Sequence, residues 1–386
     1  MKKIVILGST GSIGRNTLDI VRRFPEKFQV VGLAARANHA LLARQVQEFR
    51  PPVVALYDKK IAAHLAKRLK PFGTEVLSGA EGVIDLARNA PADRVVSAIV
   101  GGDGLLPTFA AVMANRGVAL ANKESIVMAG ELLTQEAKRR KIDILPIDSE
   151  HCALFQLLAN RKPSEVKKII LTASGGPLLR LSERKKRSVS VETALTHPTW
   201  KMGPKISIDS ATLMNKGFEM IEARWLFDLS EDQIDVVIHP QSIVHSLVEF
   251  SDRSIIAQMG VPDMRIPIAY SLFYPEREPL PFLSADLTKL SPLTFESPKK
   301  NAFPLLAVAR DALKAGGTVP SVLNGANEGA VAAFLAKRIP FLGIHKTIQH
   351  VINIHKPFSI KTIEDVLTAD RWAKLETEKY LQKITS

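Results

Sequence analysis

The sequence contains one cysteine, Cys152, among its 386 residues. A single cysteine excludes an intrachain disulfide and a zinc site built from several thiolates, and it suits a reducing compartment. The chain also lacks an apolar segment of the roughly 18 residues that a membrane span needs. Its N-terminus, MKKIVILGST, has an apolar run too short for the core of a signal peptide. We therefore expect a cytoplasmic protein with no membrane partner.

The composition is that of a globular protein with excess basic charge. Hydrophobic residues make up 46% of the chain, charged residues 24%, and the net charge is +13. The length indicates two or three domains. The charge favours an anionic partner, which could be nucleic acid, an anionic membrane or phosphorylated small molecules. The basic runs at 138–141 and 184–187 lack interleaved aromatic residues and are predicted to be solvated helix ends or loops, so we expect no nucleic-acid partner.

Short β-branched runs alternate with amphipathic stretches over the first 147 residues. This alternation predicts an α/β fold whose N-terminal part is a doubly wound, Rossmann-like parallel sheet. The predicted strands are 3–7, 29–35, 53–57, 75–77, 94–100, 118–121 and 142–147.

The pattern changes from about residue 150. The runs KKIILTAS, KISID, IDVVIHP, SIVHSLVEF and RSIIAQM predict a mixed or antiparallel sheet with helices on one face, and thus a central α+β domain. Residues 274–300 contain five prolines and fit an extended linker. The segments after residue 300 have helical patterns throughout, so we expect a C-terminal helical bundle.

The segment LGSTGSIG joins the first predicted strand to the first helix. Glycines at Gly8, Gly11 and Gly14 allow a tight turn and a close approach of the backbone to a pyrophosphate. The second strand is followed by Arg36, where an NAD-binding protein usually has an acidic residue for the ribose hydroxyls. A guanidinium there suits a 2′-phosphate, so the sequence favours NADP over NAD.

Asp148 and Glu150 follow the last strand of this first region. In an extended segment, residues two apart point to the same side, so the two carboxylates are predicted to project together. Such a pair repels itself unless a cation or a proton holds it, and oxygen ligands suit Mg²⁺ or Mn²⁺. A solvated pair of surface acids remains the alternative.

A helix is predicted from residue 214 onwards, with an apolar core stripe formed by Met214, Phe218, Ile221 and Trp225. Glu219 lies beside this stripe. It either reaches inward as a third carboxylate or forms a surface ion pair. The nearby serine, asparagine and lysine donors, with the TASGGP loop at 172–177, suit a phosphate monoester.

Several segments, in order along the whole chain, resemble the 1-deoxy-D-xylulose 5-phosphate reductoisomerase family. They are GSTGSIG, ANKES, DSEH, SGGP, HPTWKMGPKISIDSATLMNKGFE, HPQSIVHS, GVPDMRIPIAY and LNGANE. The resemblance implies the rearrangement and NADPH reduction of 1-deoxy-D-xylulose 5-phosphate to 2-C-methyl-D-erythritol 4-phosphate in the non-mevalonate isoprenoid pathway. It also implies a homodimer with one Mn²⁺ or Mg²⁺ per subunit. The implied domains are 1–149 for NADPH, 150–273 for catalysis with a mobile lid loop at 174–204, and 301–386 for the helical bundle.

The resemblance also implies roles for individual residues. The metal ligands are Asp148, Glu150 and Glu219, which form the catalytic set together with Lys123 and His197. The substrate contacts are Ser149, Glu150, Ser174, His197, Trp200, Ser210, Asn215, Lys216 and Glu219, with Ser174, Ser210, Asn215 and Lys216 around the phosphate. The cofactor contacts are Thr10, Gly11, Ser12, Ile13, Asn122, Glu124, Gly203 and Met264, together with Arg36 and Asn38. The chain departs from the family at Arg36, because many members have lysine near this position.

Two other functions remain open from the residues. A metal-free NADP-dependent dehydrogenase acting on a semialdehyde or sugar explains the glycine turn but gives the three carboxylates no role. An NADP-sensing nucleic-acid binder explains the charge, but the sequence has no recognised nucleic-acid-binding motif.

Overall fold

The computed structural model describes residues 1–200, 202–290, 292–299 and 302–385, and Lys201, in the predicted lid loop, lies outside them. The chain divides into two compact units. The first comprises Met1–Ser125, Leu133–Cys152 and Asp263–Pro281, and the second comprises Ile126–Leu132, Ala153–Pro262 and the described residues from Phe282 onwards.

The first unit contains a seven-stranded parallel sheet. Its strands are β1 (Lys2–Leu7), β2 (Phe28–Ala35), β3 (Val53–Leu56), β4 (Glu75–Ser78), β5 (Arg94–Ser97), β6 (Gly117–Leu120) and β7 (Ile144–Pro146). Their order is β4-β3-β2-β1-β5-β6-β7. The predicted doubly wound parallel sheet is therefore confirmed. The order reverses at β1 and β5, and ligands of such sheets bind beyond the carboxyl ends of the strands at that point.

The second unit contains a four-stranded mixed sheet. Its strands are β8 (Val166–Ala173), β9 (Ile234–Ile238), β10 (Val244–Phe250) and β11 (Ile255–Met259), in the order β11-β10-β8-β9. β10 is antiparallel to β8 and β11, whereas β8 and β9 are parallel. The predicted mixed sheet is confirmed, and β11 lies at its edge.

The helices are numbered in chain order across both units. They are α1 (Ser12–Arg23), α2 (His39–Phe49), α3 (Lys59–Leu69), α4 (Gly79–Asn89), α5 (Leu105–Met113), α6 (Lys123–Arg140), α7 (Ser149–Leu158), α8 (Glu183–Lys186), α9 (Val191–Leu195), α10 (Pro204–Thr212), α11 (Met214–Phe227), α12 (Arg265–Phe273), α13 (Pro304–Ala315), α14 (Val319–Leu335), α15 (Phe341–Ile354) and α16 (Ile363–Thr385). Helices α13 to α16 confirm the helical C-terminal region. No helix in the described part of the chain is long and apolar enough to cross a membrane.

The run KISID was predicted as a strand, and this prediction was wrong. These residues lie in α10, which begins with Pro204 at its first turn and has Gly203 as its N-cap. Proline suits the first turn of a helix because its missing N–H has no acceptor there. Within the helix, Lys205 Nζ lies 2.8 Å from Asp209 Oδ2, a contact between residues four apart.

The predicted domain boundaries differ from the two units. Residues 153–262 and the C-terminal helices belong to one unit, while residues 263–281 belong to the unit of the parallel sheet. Lys2 accounts for part of this grouping, because its Nζ donates to the carbonyl oxygens of Leu272, Phe273 and Tyr274 at 3.2, 3.0 and 2.9 Å. These bonds satisfy carbonyls at the C-terminal end of α12.

Candidate active site

The glycine turn of the first unit has the geometry that the sequence predicts. Gly8 directly follows β1 and has a φ of +88°, where a Cβ would lie 2.5 Å from the carbonyl oxygen of Ala98. A Cβ on Gly14 would lie 2.4 Å from the carbonyl oxygen of Gly8. Both positions therefore require glycine, one for its backbone conformation and both for the close packing of turn, helix and neighbouring strand.

The tip of this turn presents backbone N–H groups. Gly11 is the N-cap of α1 and makes no side-chain cap hydrogen bond. The first N–H groups of a helix have no intrahelical acceptor, and with the positive end of the helix dipole they favour a phosphate. Gly11 and Ser12 are exposed, and Thr10 and Ile13 are half-buried. These four residues thus lie at or next to the N-terminal end of α1 and are not buried.

Arg36 and Asn38 follow β2 and have different surroundings. The Arg36 side chain is 80% exposed, with its guanidinium 3.7 Å from Asp103 and 5.7 Å from the centroid of the Tyr57 ring. Its exposure leaves room to meet a ligand. Asn38 is the N-cap of α2, and its Oδ1 accepts from the backbone N–H of Leu41 at 3.2 Å. Asn38 thus has a structural role.

Asn122 and Glu124 lie at the start of α6, behind the loop that follows β5. Asn122 caps this helix by accepting from the Ser125 N–H at 3.0 Å. Its amide donates to the carbonyl oxygens of Ile99 and Gly101 at 2.6 and 3.0 Å and to Glu124 Oε2 at 2.9 Å. Asn122 and Glu124 are both buried. The side chain of Asn122 therefore fixes the loop after β5, at the edge where the glycine turn lies.

Lys123 and Asp148 form a close ion pair in the first unit. Lys123 Nζ donates to Asp148 Oδ2 at 2.9 Å, and the exposures of the two side chains are 7% and 15%. Little solvent reaches either group, so each holds the charge of the other more effectively than a surface pair does. The two residues, predicted from different motifs, are thus brought together.

The predicted extended conformation of Asp148 to Glu150 was wrong. Helix α7 begins at Ser149, and Asp148 precedes it, with its Oδ1 accepting from the Glu150 N–H at 3.3 Å and its carbonyl oxygen from the Cys152 N–H at 2.8 Å. Ser149 Oγ donates to Glu150 Oε2 at 2.6 Å. Asp148 therefore lies directly before the helix and Glu150 in its first turn, and negative charge is stabilised at this end of a helix.

Ser174 and His197 are hydrogen bonded in the second unit. The Ser174 Oγ lies 2.9 Å from His197 Nε2. His197 Nδ1 accepts from the backbone N–H groups of Thr199 and Trp200 at 3.1 and 2.8 Å. A nitrogen that accepts carries no proton, so the neutral ring carries its proton on Nε2 and donates to Ser174. Trp200 is half-buried, and its own backbone helps to fix the imidazole.

This arrangement predicts a pH-dependent turn at residues 197–200. Burial lowers the pKa of His197 below its usual 6.5. A group whose pKa is lowered in the folded state contributes its full stabilisation of the fold above the unfolded pKa of about 6.5. This stabilisation is lost as the pH falls through the lowered pKa. When Nδ1 is protonated it becomes a donor itself, so it no longer accepts from the backbone N–H groups of Thr199 and Trp200.

We expect the backbone amide resonance of Trp200 in ¹⁵N-tryptophan-labelled protein to shift with a midpoint below pH 6.5. The amides of Trp225 and Trp372 serve as internal controls, and His197→Gln removes the transition. A midpoint above 6.5, or an unchanged transition in His197→Gln, contradicts the role of the imidazole.

Three of the four predicted phosphate ligands, Ser210, Asn215 and Lys216, lie on α10 and α11, and so does Glu219. Leu213 separates these helices with a φ of +58°, so α11 begins immediately after α10. Ser210 and Lys216 are buried, and Glu219 is completely buried. Glu219 Oε1 accepts from Asn215 Nδ2 at 2.7 Å, and Lys216 Nζ donates to Glu219 Oε2. Glu219 is therefore an interior carboxylate and not part of a surface ion pair.

The chemistry of the three acidic side chains fits a hard divalent cation. Asp148 and Glu150 in the first unit, and Glu219 in the second, offer only carboxylate oxygens, which Mg²⁺ and Mn²⁺ prefer. Each of the three carboxylates is at least half-buried, where a charge is costly unless a partner compensates it.

A buried polar cluster that the sequence reasoning missed lies next to Ser210. Asp209 is 1% exposed, its Oδ2 accepts from Lys205 Nζ at 2.8 Å, and its Oδ1 accepts from Asn327 Nδ2 at 2.8 Å. Asn327 belongs to α14, so these bonds tie α10 to the C-terminal helices. The signal was present as a lysine and an aspartate four residues apart, but only a helical reading of KISID makes them neighbours.

Two further predicted cofactor contacts lie at the starts of helices. Gly203 is the N-cap of α10, and a Cβ there would meet no atom within 4 Å. Met264 is the N-cap position of α12, in the first unit. The open space at Gly203 shows that packing does not require glycine there.

Three protein-family models match the chain. The description 1-deoxy-D-xylulose 5-phosphate reductoisomerase matches residues 4–130. The C-terminal domain of the same enzyme matches residues 144–227, and a DXP reductoisomerase C-terminal domain matches residues 259–376. The matches follow one another along most of the sequence.

Known relatives agree with these matches over their full length. The chain is 51% identical over 374 residues to the 1-deoxy-D-xylulose 5-phosphate reductoisomerase of Chlorobium phaeobacteroides strain BS1, covering 97% of this chain and 98% of the relative. The Zymomonas mobilis enzyme, solved with NADPH, has a TM-score of 0.92 at 39% identity, covering 98% of each chain. A reductoisomerase solved with NADPH, fosmidomycin and magnesium has a TM-score of 0.93 at 40% identity, covering 100% of this chain and 99% of that one.

Proposed function

The chain belongs to the 1-deoxy-D-xylulose 5-phosphate reductoisomerase family, and from this premise we propose which residues carry out its reaction. The protein is an NADPH-dependent oxidoreductase and isomerase that uses a divalent cation. It converts 1-deoxy-D-xylulose 5-phosphate to 2-C-methyl-D-erythritol 4-phosphate in the non-mevalonate isoprenoid pathway. A metal-free dehydrogenase is not favoured, because it gives the acidic side chains no role.

The proposed roles depend on one observation, the group of polar side chains on α10 and α11. Asn215 and Lys216 donate hydrogen bonds to a fully buried carboxylate, Glu219, and Ser210 is buried on the preceding helix. Phosphate monoesters are bound by such donors, and a carboxylate beside them can hold a cation that faces the rest of the same substrate. We assign the phosphate to Ser174, Ser210, Asn215 and Lys216, and the cation to Asp148, Glu150 and Glu219.

The remaining residues bind and orient the reactants. When bound, NADPH supplies the hydride and the divalent cation polarises the carbonyl and hydroxyl oxygens of the substrate. Lys123 holds Asp148 by its ion pair and meets the substrate from the same side. His197 and Trp200 cover the substrate and exclude water. The turn at Thr10–Ile13 binds the pyrophosphate of NADPH, and Ser149 contacts the substrate.

The activity is tested by following NADPH absorbance with 1-deoxy-D-xylulose 5-phosphate as substrate. Chelator-treated protein should consume NADPH only after Mn²⁺ or Mg²⁺ is restored, and a semialdehyde should not replace the substrate. Chelator-insensitive consumption of NADPH would favour the metal-free dehydrogenase and overturn the proposed ligand roles.

We propose that Arg36 binds the 2′-phosphate of NADPH. Its guanidinium is mostly exposed, at 3.7 Å from Asp103 and 5.7 Å from the centroid of the Tyr57 ring, and such surface contacts are weak, so reorientation costs little. Arg36→Ala should raise KM for NADPH by about 10- to 150-fold, the scale of a lost charged hydrogen bond of about 1.5–3 kcal/mol. KM for NADH should change little. Arg44→Ala, an exposed arginine on α2, is the matched control, and equal effects on NADPH and NADH would contradict the assignment.

We propose that the protein is a homodimer that forms through the edge of the second sheet. On β11, Ile255, Ile256 and Met259 are 55%, 41% and 41% exposed. An apolar edge strand pairs readily with another chain, and a second copy offers the same edge. Ile256→Lys should give monomers in sedimentation equilibrium, whereas Ile354→Lys, at an exposed position of α15, should not. Dimers in both variants would place the interface elsewhere.

We propose that the protein is located in the cytoplasm, because a chain with one cysteine gains nothing from an oxidising compartment.

A further inference from the structure

A cavity lies in the second unit. Its volume is about 200 Å³, and none of the residues assigned above to substrate, cofactor or cation lines it. Its walls come from the end of α8, the end of α10, the start of α13 and the first turns of α15. The cavity is smaller than a site for a drug-sized ligand, which occupies about 300–1,000 Å³.

One wall is the N-terminal end of α15. Phe341 and Leu342 are the first two residues of this 14-residue helix, and its N-cap, Pro340, makes no side-chain cap hydrogen bond. The N–H groups of these two residues have no acceptor within the helix, and the helix dipole is positive at this end. The wall therefore favours an anion, and a second observation supports this.

Three cationic or basic side chains line the same space. Lys186 is 4% exposed, its Nζ donates to the carbonyl oxygen of Ala302 at 2.9 Å and lies 4.2 Å from the centroid of the Phe303 ring. Arg187 and His345 also line the cavity. No aspartate or glutamate occurs among the described lining residues. Lys186, Arg187 and His345 thus contribute basic groups to the lining, and such a lining favours an anionic ligand.

The rest of the lining is apolar. Leu305, Phe341 and Leu342 contribute side chains that a carbon chain can contact. We propose that this cavity binds a phosphate monoester of a short apolar alcohol, with the phosphate at the N-terminus of α15 and the chain against these three side chains. Lys186 and Arg187 belong to the segment that also carries His197, so an occupant connects that segment to α15.

The test uses ¹⁵N-histidine-labelled protein and n-butyl phosphate. His345 is one of nine histidines and is assigned from the spectrum of His345→Gln. Its imidazole resonances should shift saturably, and the pKa of His345, which burial and then Lys346 hold below its usual value, should rise on binding. Inorganic phosphate should bind at least about tenfold more weakly, because it buries no alkyl carbon. n-Butanol should give no shift.

Arg187→Ala should weaken n-butyl phosphate binding by at least about tenfold, the scale of one charge-assisted hydrogen bond. Arg184→Ala is the matched control, since Arg184 lies on α8 but does not line the cavity. A shift of His197 without His345 would place the ligand in the reaction site only and overturn the proposal. If inorganic phosphate binds with equal affinity, the cavity binds an adventitious anion only. If the two arginine substitutions have equal effects, the ligand does not bind in the cavity.

Discussion

Glu219→Gln is expected to lower turnover by at least about tenfold and to weaken Mn²⁺ binding on a similar scale. The carboxylate is completely buried, and Asn215 and Lys216 both donate hydrogen bonds to it. An amide keeps the shape but replaces one oxygen by an NH₂ group. That group cannot bind a cation, and as a donor it faces Asn215 or Lys216, which is a donor as well.

Two measurements separate the causes of this loss. The rate of NADPH consumption is followed as a function of Mn²⁺ concentration, and free Mn²⁺ is titrated by electron paramagnetic resonance without substrate. Asp228→Asn is the matched control, because Asp228 is the C-cap of the same helix and its side chain is 99% exposed. If Glu219→Gln behaves like Asp228→Asn in both measurements, Glu219 is not a metal ligand.

The parallel sheet could be predicted from the sequence because most of its strands, though not β4, are buried on both faces. Such strands appear as continuous β-branched runs, and all seven were located. Their ends were less well defined. The run at 94–100 was predicted as one strand, but β5 ends at Ser97, and Val100 is 67% exposed. The ending depends on Asn122, whose amide binds the Ile99 carbonyl oxygen at 2.6 Å from another part of the chain.

The wrong strand prediction at KISID shows that a short stretch of sequence does not contain the distant contacts that fix its conformation. Two apolar residues in alternation match a strand as well as a buried helix face, and length is the usual discriminator. Here Pro204 and the pairing of Lys205 with Asp209 indicate a helix locally. The contact that fixes the helix comes from Asn327, more than a hundred residues away. No local pattern reveals that partner.

The candidate site was predictable by residue type more than by conformation. Asp148 and Glu150 were predicted as a pair because two acids follow a strand. The common direction of their side chains was predicted from strand geometry, whereas the structure has a helix from Ser149 onwards. The basic run at 184–187 was predicted to be solvated, but Lys186 is buried under Phe303. Charge alone does not reveal a lysine whose partner is a distant carbonyl and an aromatic ring.

Lys216→Met is expected to lower the free energy of opening of α11 by about 3–5 kcal/mol. This is the cost of leaving one member of a buried ion pair without its oppositely charged partner. Lys216 is 2% exposed and Glu219 completely buried, so solvent cannot replace the lost ammonium. Methionine keeps most of the side-chain volume, which limits the contribution of a cavity. Hydrogen exchange of the α11 amides in chelator-treated protein measures this energy without requiring the whole chain to unfold together.

The double variant Lys216→Met with Glu219→Gln distinguishes charge from packing. Because it removes both charges, its destabilisation should be smaller than the sum of the single effects by about 0.5–3 kcal/mol. The matched cycle uses Arg224→Met and Asp228→Asn, an exposed pair on the same helix with a separation of 3.2 Å, which should couple by less than about 0.5 kcal/mol. Additive energies at Lys216 and Glu219 would contradict the buried-pair argument. Turnover should stay low in the double variant even where stability recovers, because both the proposed phosphate ligand and the proposed cation ligand are absent from it.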